Sequence, residues 1–425
     1  MHAVGIDFGT TNTVVAFPSG SLAQVQVFAH AAETLDALRT TLSFRRNPAL
    51  GGRPLAEVGP WAISDFIEAP EETRFLQSFK SFAASASFSD TAVFTSRYRF
   101  EDLMHTYLAR LREHAGLAAY PKRLAIGRPV TFAGTKPDDA LAQRRYSDAL
   151  KGLGFEQVAY VLEPVAAAYF YAQRLTRDAT ILVADLGGGT SDFSVLRFKK
   201  GKSGISAQAL AHTGIGVAGD NFDFRIIDHV VSPRLGKRAT YVSWGKELPV
   251  PKHYFASFSR WNELCLMRRP EVLRELRELA RSSSSKDQLL SLVDLIEGGV
   301  SYELYRTVSR TKAALTEHES VPFRFKMSGV DISGKISRSN FERWIAPDLE
   351  RIGVTADAAL AKAGLSAKDI DRVFLTGGTS FVPAVRRLFE ARFPTEKIDT
   401  GEQLLSIAKG LALIAGSNDM EAWAA

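Results

Sequence analysis

Two stretches of this chain follow one pattern, and together they constrain the fold more than any other feature. The first runs Val4-Gly5-Ile6-Asp7-Phe8-Gly9-Thr10-Thr11-Asn12-Thr13-Val14-Val15. The second runs Ile181-Leu182-Val183-Ala184-Asp185-Leu186-Gly187-Gly188-Gly189-Thr190-Ser191-Asp192-Phe193-Ser194-Val195-Leu196. Each reads as a buried strand closed by an aspartate, a glycine turn and a second strand. Gly187, Gly188 and Gly189 let the backbone come close to a ligand and aim N–H groups at it. Thr190 and Ser191 place hydroxyls at the tip, and Asp185 and Asp192 flank the turn. N–H donors suit phosphate oxygens, and carboxylates beside them suit a hydrated magnesium ion. A lone glycine triplet reads as a mere hairpin turn. The second copy, with Asp7 for Asp185 and Gly9 for Gly187, reverses that reading.

The two halves share a plan: a three-stranded meander, an insert, then strand, helix, strand, helix. That repetition predicts a duplicated two-lobe α/β fold with a cleft between the lobes. Lobe I is expected over 1–178, with an insert at about 37–117 and completion by about 399–425. Lobe II is expected over 179–398, with a largely helical insert at about 232–320. Expected elements include a third strand over Ala23–Ala29, a helix-like Pro54–Glu68, an amphipathic helix Glu101–Ala115 and a helix Gly219–Val231. Pro164 suits the first turn of a helix running to Leu175. In Val300–Thr316, Val300, Leu304, Val308, Thr311 and Leu315 form the packed stripe, while Ser309, Lys312 and Thr316 lie on a polar one.

At 425 residues the chain is too long for one core. Its single cysteine, Cys265, fits a reducing compartment, so the cytoplasm is the expected location. The first strand-like run begins at His2 and leaves no room for a secretory signal. No apolar run is long enough to span a bilayer. The net charge of +6 is modest, and the basic run Arg260–Arg281 is interleaved with Glu263, Glu271, Glu275 and Glu278. That pattern predicts a solvated helix face rather than a nucleic-acid surface. Gly201-Lys202-Ser203 resembles the end of a phosphate loop, but Leu196 stands where its first glycine should be. Metal-protease and nucleophile-elbow motifs are absent from the sequence.

Five motifs occur in order: Ile6-Asp7-Phe8-Gly9-Thr10-Thr11-Asn12; Glu163-Pro164 with Ala166-Ala167-Ala168; Asp185 to Asp192; Gly219-Asp220-Asn221-Phe222-Asp223; and Leu375-Thr376-Gly377-Gly378-Thr379-Ser380 with Pro383. As a set they resemble the actin, hexokinase and heat-shock-70 superfamily, most closely the ATPase domain of the 70-kilodalton heat-shock chaperones. The resemblance implies ATP or ADP and Mg2+ as cofactors and slow ATP hydrolysis. It implies that Asp7, Asp185 and Asp192 surround the ion through water. Thr10, Thr11 and Asn12, with Gly9, would line one side of the phosphates, and Gly187, Gly188, Gly189 and Thr190 the other. Lys80 would neutralise the γ-phosphate and Glu163 would order the attacking water. Gly377, Gly378 and Thr379 would approach the sugar and α-phosphate, Gly219 and Asp220 would join the nucleotide site, and Lys312 and Thr316 would contact the adenosine. Pro129 and Arg144 resemble a relay between nucleotide state and domain contacts.

Two departures stand out. The arginines that sandwich adenine in the family are replaced by Ala313 and Phe381, of which Phe381 is able to stack on the base. The sequence also stops about ten residues after its last helix, so the resemblance implies a nucleotide-dependent switch without the peptide-binding domain. A protein partner is expected on the helical insert. The alternative function is an actin-like filament-forming ATPase; a sugar kinase would need a sugar pocket and catalytic aspartate that the sequence does not show. Oligomeric state is open.

Overall fold

A computed structural model describes residues 2–47, 54–69, 72–132, 136–173, 175–201, 204–259, 264, 267–298, 300–399 and 404–424. Cys265, Lys202, Ser203, Glu263 and the expected start of the last helix at Glu402 lie outside the described residues. The chain packs as two compact units. One comprises Met1–Ala218, Arg351–Ser380 and Val385–Ala425; the other comprises Gly219–Glu350 and Phe381–Ala384.

The first unit holds two sheets of one design. In the first, the strand order is Gln157–Leu162, Arg123–Arg128, Ala3–Phe8, Asn12–Ser19, Leu22–Val25. In the second it is Ile398–Asp399, Arg372–Thr376, Ala179–Leu186, Ser191–Gly201, Gly204–Ile215. In both, the strand ending in the motif aspartate pairs antiparallel with its successor and parallel with a strand that follows an insert. The duplication expected from the repeated turn is thus present over five strands of each sheet, to which the first adds Leu38–Arg39 beside Asn12–Ser19. The central strands Ala3–Phe8 and Ala179–Leu186 are almost wholly buried and read as continuous apolar runs, as strands covered on both faces should.

Two helices lie between the sheets. Ser406–Gly416 packs on the first sheet and against Glu163–Ala172, which packs on the second. Pro164 sits in the first turn of the latter, where its missing N–H costs nothing. The alanines behind it keep that face flat. At the crossing Gly410 meets the main chain of Ala166, and a Cβ there would overlap Ala166 O. The Thr376 and Ser406 hydroxyls, 2.9 Å apart, tie the second sheet to the same helix.

The second unit is built on helices Gly219–Ile226, Pro270–Arg281, Lys286–Glu297 and Ser301–Glu317 and the opening of Arg338–Lys362, with two hairpins. Val300, Leu304, Val308, Thr311 and Leu315 are buried, so the expected stripe is the packed one. The serine run Ser282–Ser285 does more than turn the chain. The Val242 N–H donates to Ser282 O and the Ser284 N–H to Thr240 O, while the Ser283 hydroxyl donates to Thr240 O. It therefore clamps the hairpin Thr240–Ser243/Lys246–Pro249 along one edge.

Several local readings differ from the structure. Leu55–Val58 is a strand and only Gly59–Glu68 is helical, because cross-strand pairing with Thr41–Arg45 overrides the helical pattern. Leu22–Val25 pairs within the first sheet, while Phe28–His30 pairs with Glu33–Leu35, which splits the expected third strand. Val330–Ser337, unread in the sequence, pairs with Ser320–Met327. Its apolar residues alternate with polar ones as in a strand, but Gly334 stands at one of the apolar positions and breaks the pattern. The helix expected over Gly219–Val231 holds α-geometry to Ile226 and widens into a π-turn over Ile227–Val231.

Candidate phosphate and carboxylate site

The two motif turns close in the same way. The Gly9 N–H donates to Asn12 O at 3.0 Å, and the Gly187 N–H donates to Thr190 O at 3.0 Å. Each is also fixed from outside by a threonine hydroxyl: Thr40 donates to Gly9 O at 2.7 Å, and Thr379 donates to Gly187 O at 2.5 Å. The turns face each other, for a Cβ at Gly189 would lie 3.7 Å from Thr10 Cγ2. Gly377 has φ +81°, and a Cβ there would overlap Leu186 O and approach Asp185 Oδ1. Only glycine lets the chain between Thr376 and Thr379 lie this close to the second turn.

Behind the turns lies a buried charge cluster. Asp185 and Asp192 are directly opposed across two antiparallel strands. Asp7 ends the matching strand of the first sheet, where its cross-strand neighbour is Val14. The Lys80 Nζ donates to Glu163 Oε1 at 2.6 Å, and both side chains are buried. Aromatic packing sets this geometry. The Phe8 ring lies 5.6 Å from the Phe79 ring, so Asp7 and Lys80, each the neighbour of one ring, are held at the same end of the strand. The segment after Lys80 is held by Arg145, whose guanidinium donates to the carbonyls of Phe82 at 2.9 Å, Ala83 at 3.0 Å, Ser85 at 3.1 Å and Phe88 at 2.5 Å.

Three acids around one cation titrate abnormally. Burial, then the Glu163 charge, push Asp7 up to about 7, with Lys80 opposing. Burial, then Glu163, push Asp192 up to about 7; the Thr190 hydroxyl and Thr131 main chain act the other way. Asp185 is raised well above the ordinary range by burial, Glu163, Asp192 and Asp7. For Lys80, burial works to lower the pKa, but Glu163, Tyr146 and Asp7 more than offset it and keep the ammonium charged. Among the described residues neither Asp192 oxygen has a hydrogen-bond partner. Among the described residues no three acidic, histidine or cysteine side chains converge closely enough to ligate an ion directly.

Asp7, Gly9, Thr10, Thr11, Asn12, Lys80, Glu163, Asp185, Gly187, Gly188, Gly189, Thr190, Asp192, Gly377, Gly378 and Thr379 all belong to the first unit. Gly219, Asp220, Lys312, Thr316 and Phe381 belong to the second. There Lys312 Nζ lies 3.0 Å from Asp223 Oδ2 and donates to Gly219 O at 3.0 Å, so it is anchored on the first turn of helix Gly219–Ile226. The Thr316 hydroxyl donates to Ala313 O at 2.6 Å. Phe381 is 49% exposed. Pro129 is buried and Arg144 exposed.

Sequence reasoning missed Thr40, Arg145 and Tyr146. Tyr146 lies four residues after Ala142 and three before Ala149, on the buried stripe of helix Asp139–Leu150, and that spacing was the available signal. A buried arginine that binds carbonyls leaves no such trace. A surface cavity of about 440 Å³, lined by Arg99, Glu101, Asp102, His105, Asp148 and Lys151, shares none of the site residues. Its ions are already paired with one another.

Two like-built sheets that carry facing Asp-Gly turns over a buried lysine and carboxylates define a duplicated α/β fold of the actin-like ATPase class. The family model described as Hsp70 protein matches residues 139–240 and 296–420, more than half of the chain. The chain belongs to the Hsp70 family. It is 26% identical over 437 residues to the chaperone protein dnaK of Cyanophora paradoxa, covering 97% of this chain and 60% of that one. To the DnaK chaperones of Deinococcus deserti and Deinococcus radiodurans it is 26% identical over 428 residues, covering 97% of this chain and 59% of each relative. The chain spans about three-fifths of the length of these curated relatives. Family membership favours the chaperone-related reading over the filament-forming one. No helix among the described residues is long and apolar enough to cross a membrane.

Proposed function

We propose that this chain is a Mg-ATP-binding module that hydrolyses ATP slowly and works as a nucleotide-dependent switch. The observation that carries the reading is the pair of facing turns, closed by identical hydrogen bonds, above the Lys80–Glu163 pair. The N–H groups of Thr10 to Asn12 and of Gly188 to Thr190 grip the phosphates from two sides, while those of Gly9 and Gly187 close the turns. Phosphoryl transfer needs positioning and charge neutralisation more than a strong base. Lys80 neutralises the γ-phosphate, Glu163 orders the attacking water and Thr190 lines the same place. Gly377, Gly378 and Thr379 support the sugar and α-phosphate. Gly219, Asp220, Lys312, Thr316 and Phe381 serve the nucleoside.

Asp7, Asp185 and Asp192 fit a hydrated divalent cation: they are hard oxygen donors, each is buried, and among the described residues neither Asp192 oxygen has a hydrogen-bond partner. When bound, magnesium supplies charge compensation for the phosphates and for these acids. We place the module in the cytoplasm, a reading that rests on the single cysteine, and its protein partner on the second unit. Supporting the latter, Trp244 at the tip of the serine-clamped hairpin is 100% exposed, with Val242 and Leu248 also exposed beside it.

Titration calorimetry tests the reading. ATP should bind in a magnesium-dependent manner, and Asp7→Asn or Asp185→Asn should weaken binding at least tenfold. Unchanged binding in both variants sinks the placement.

A further inference from the structure

Tyr146 is a buried group beside the Lys80–Glu163 pair that the proposed mechanism leaves without a task. Its ring is stacked on Phe100 (centroids 6.0 Å apart, 19° between planes) and meets Phe8 and Phe132 edge-on at 6.3 and 6.0 Å. Three rings therefore fix its direction. It is fully buried, yet its hydroxyl has no hydrogen-bond partner among the described residues. Leaving a buried hydroxyl unpaired is costly, whereas phenylalanine would fill the same space without that cost. Its charged neighbours are Lys80, Glu163, Arg128 and Asp7. Burial pushes the phenol up to about 12, so at neutral pH it is a donor.

The Lys80–Glu163 bond explains why a spare donor belongs here. Lys80 holds Glu163 Oε1 at 2.6 Å in a dry environment. When Lys80 turns toward a phosphate, that bond weakens, and a buried carboxylate deprived of its partner is strongly destabilised. We propose that the Tyr146 hydroxyl is a positioning group that takes over Glu163 as hydrogen-bond donor when Lys80 engages the phosphate. The carboxylate then stays charged and correctly aimed while its cation is occupied elsewhere. The role of the phosphate rests on the Mg-ATP reading above; the exchange of donors on Glu163 does not.

A double-mutant cycle on nucleotide-free protein separates the two. Tyr146→Phe alone should leave the melting temperature unchanged or raise it. Removing Lys80 forces Glu163 onto the tyrosine, so Lys80→Met/Tyr146→Phe should melt several degrees below Lys80→Met. Lys80→Gln provides the same comparison should the methionine variant fold poorly. In the intact protein, Tyr146→Phe should lower ATP turnover about tenfold and leave the Kd for Mg-ATP within about twofold. Additive effects, with Tyr146→Phe costing the same with and without Lys80, overturn the inference and make the hydroxyl structural. A wild-type protein that binds no Mg-ATP sinks the nucleotide reading instead, and the cycle still decides the tyrosine.

Discussion

Lys80 and Glu163, 83 residues apart in sequence, are joined by a 2.6 Å hydrogen bond between two buried charges. Lys80 comes from a short 3-10 turn within the first insert, and Glu163 from the first turn of a helix between the sheets. Neither charge is tolerable there alone. The pair therefore couples folding to the chemistry proposed for it.

Lys80→Ala should lower both activity and stability, but not ATP affinity in proportion. Loss of a charge that acts mainly on the transition state lowers turnover more than binding. Turnover should fall about 100-fold or more, with Kd changed by less than about tenfold. Unfolding in urea should show a loss of roughly 3–5 kcal/mol, the usual cost of leaving a buried ion unpaired. Equal losses in turnover and affinity would mark Lys80 as a ground-state anchor.

Without magnesium the carboxylate cluster should make the fold less stable as pH rises. Asp7 and Asp192 are raised from 3.8 to about 7 in the folded chain. Between those values the unfolded chain gives up protons that the folded chain keeps. Their contribution to stability is therefore complete below about pH 4 and is lost as pH climbs through about 7. Urea midpoints at pH 5 and pH 8 should show a smaller drop in Asp7→Asn and Asp192→Asn than in wild type. Magnesium should shrink the wild-type drop, since it favours the ionised acids. A slope identical in all three proteins defeats the assignment.

The contact between Gly410 and Ala166 predicts a severe effect from one methyl group. Gly410→Ala forces apart the two helices that separate the sheets, so a loss above about 3 kcal/mol or failure to fold is expected. Gly216 has nothing within 4 Å of a Cβ position, and Gly216→Ala should change stability by less than about 1 kcal/mol. Denaturant titration of both compares a close approach with a tolerant site.

Much of this site was legible because it is local. The aspartate, glycine and hydroxyl residues of each turn are contiguous, and apolar strands on either side declare its register. Repetition supplied the topology: Asp7 matches Asp185, and the sheets match over five strands. What escaped was held by distant packing. Thr40 reaches Gly9 from a segment with no motif, and Arg145 grips main-chain carbonyls, which every residue carries. Val330–Ser337 is a strand mainly because Ser320–Met327 offers it an edge. Asp192 flanks the turn in sequence, and its place directly opposite Asp185 follows from a four-residue loop closed between Gly187 and Thr190.

Base recognition gives the last expectation. Where the family places two arginines, this chain has Ala313 and Phe381, both exposed. Lys312 keeps its ammonium on Gly219 O and Asp223, so its charge is already partly satisfied within its own unit. An aromatic ring that stacks on a purine contributes about 1 kcal/mol and does not distinguish adenine from guanine by hydrogen bonding. Phe381→Ala should therefore weaken ATP and GTP binding alike, by about fivefold, and the ratio of the two affinities should stay below about a hundred in wild type. Competition of both nucleotides against a fluorescent ATP analogue measures this directly. A preference for ATP of several thousand-fold, unaffected by Phe381→Ala, would mean that polar groups read the adenine edge. Discrimination of that size requires buried donors and acceptors left unpaired by the wrong base.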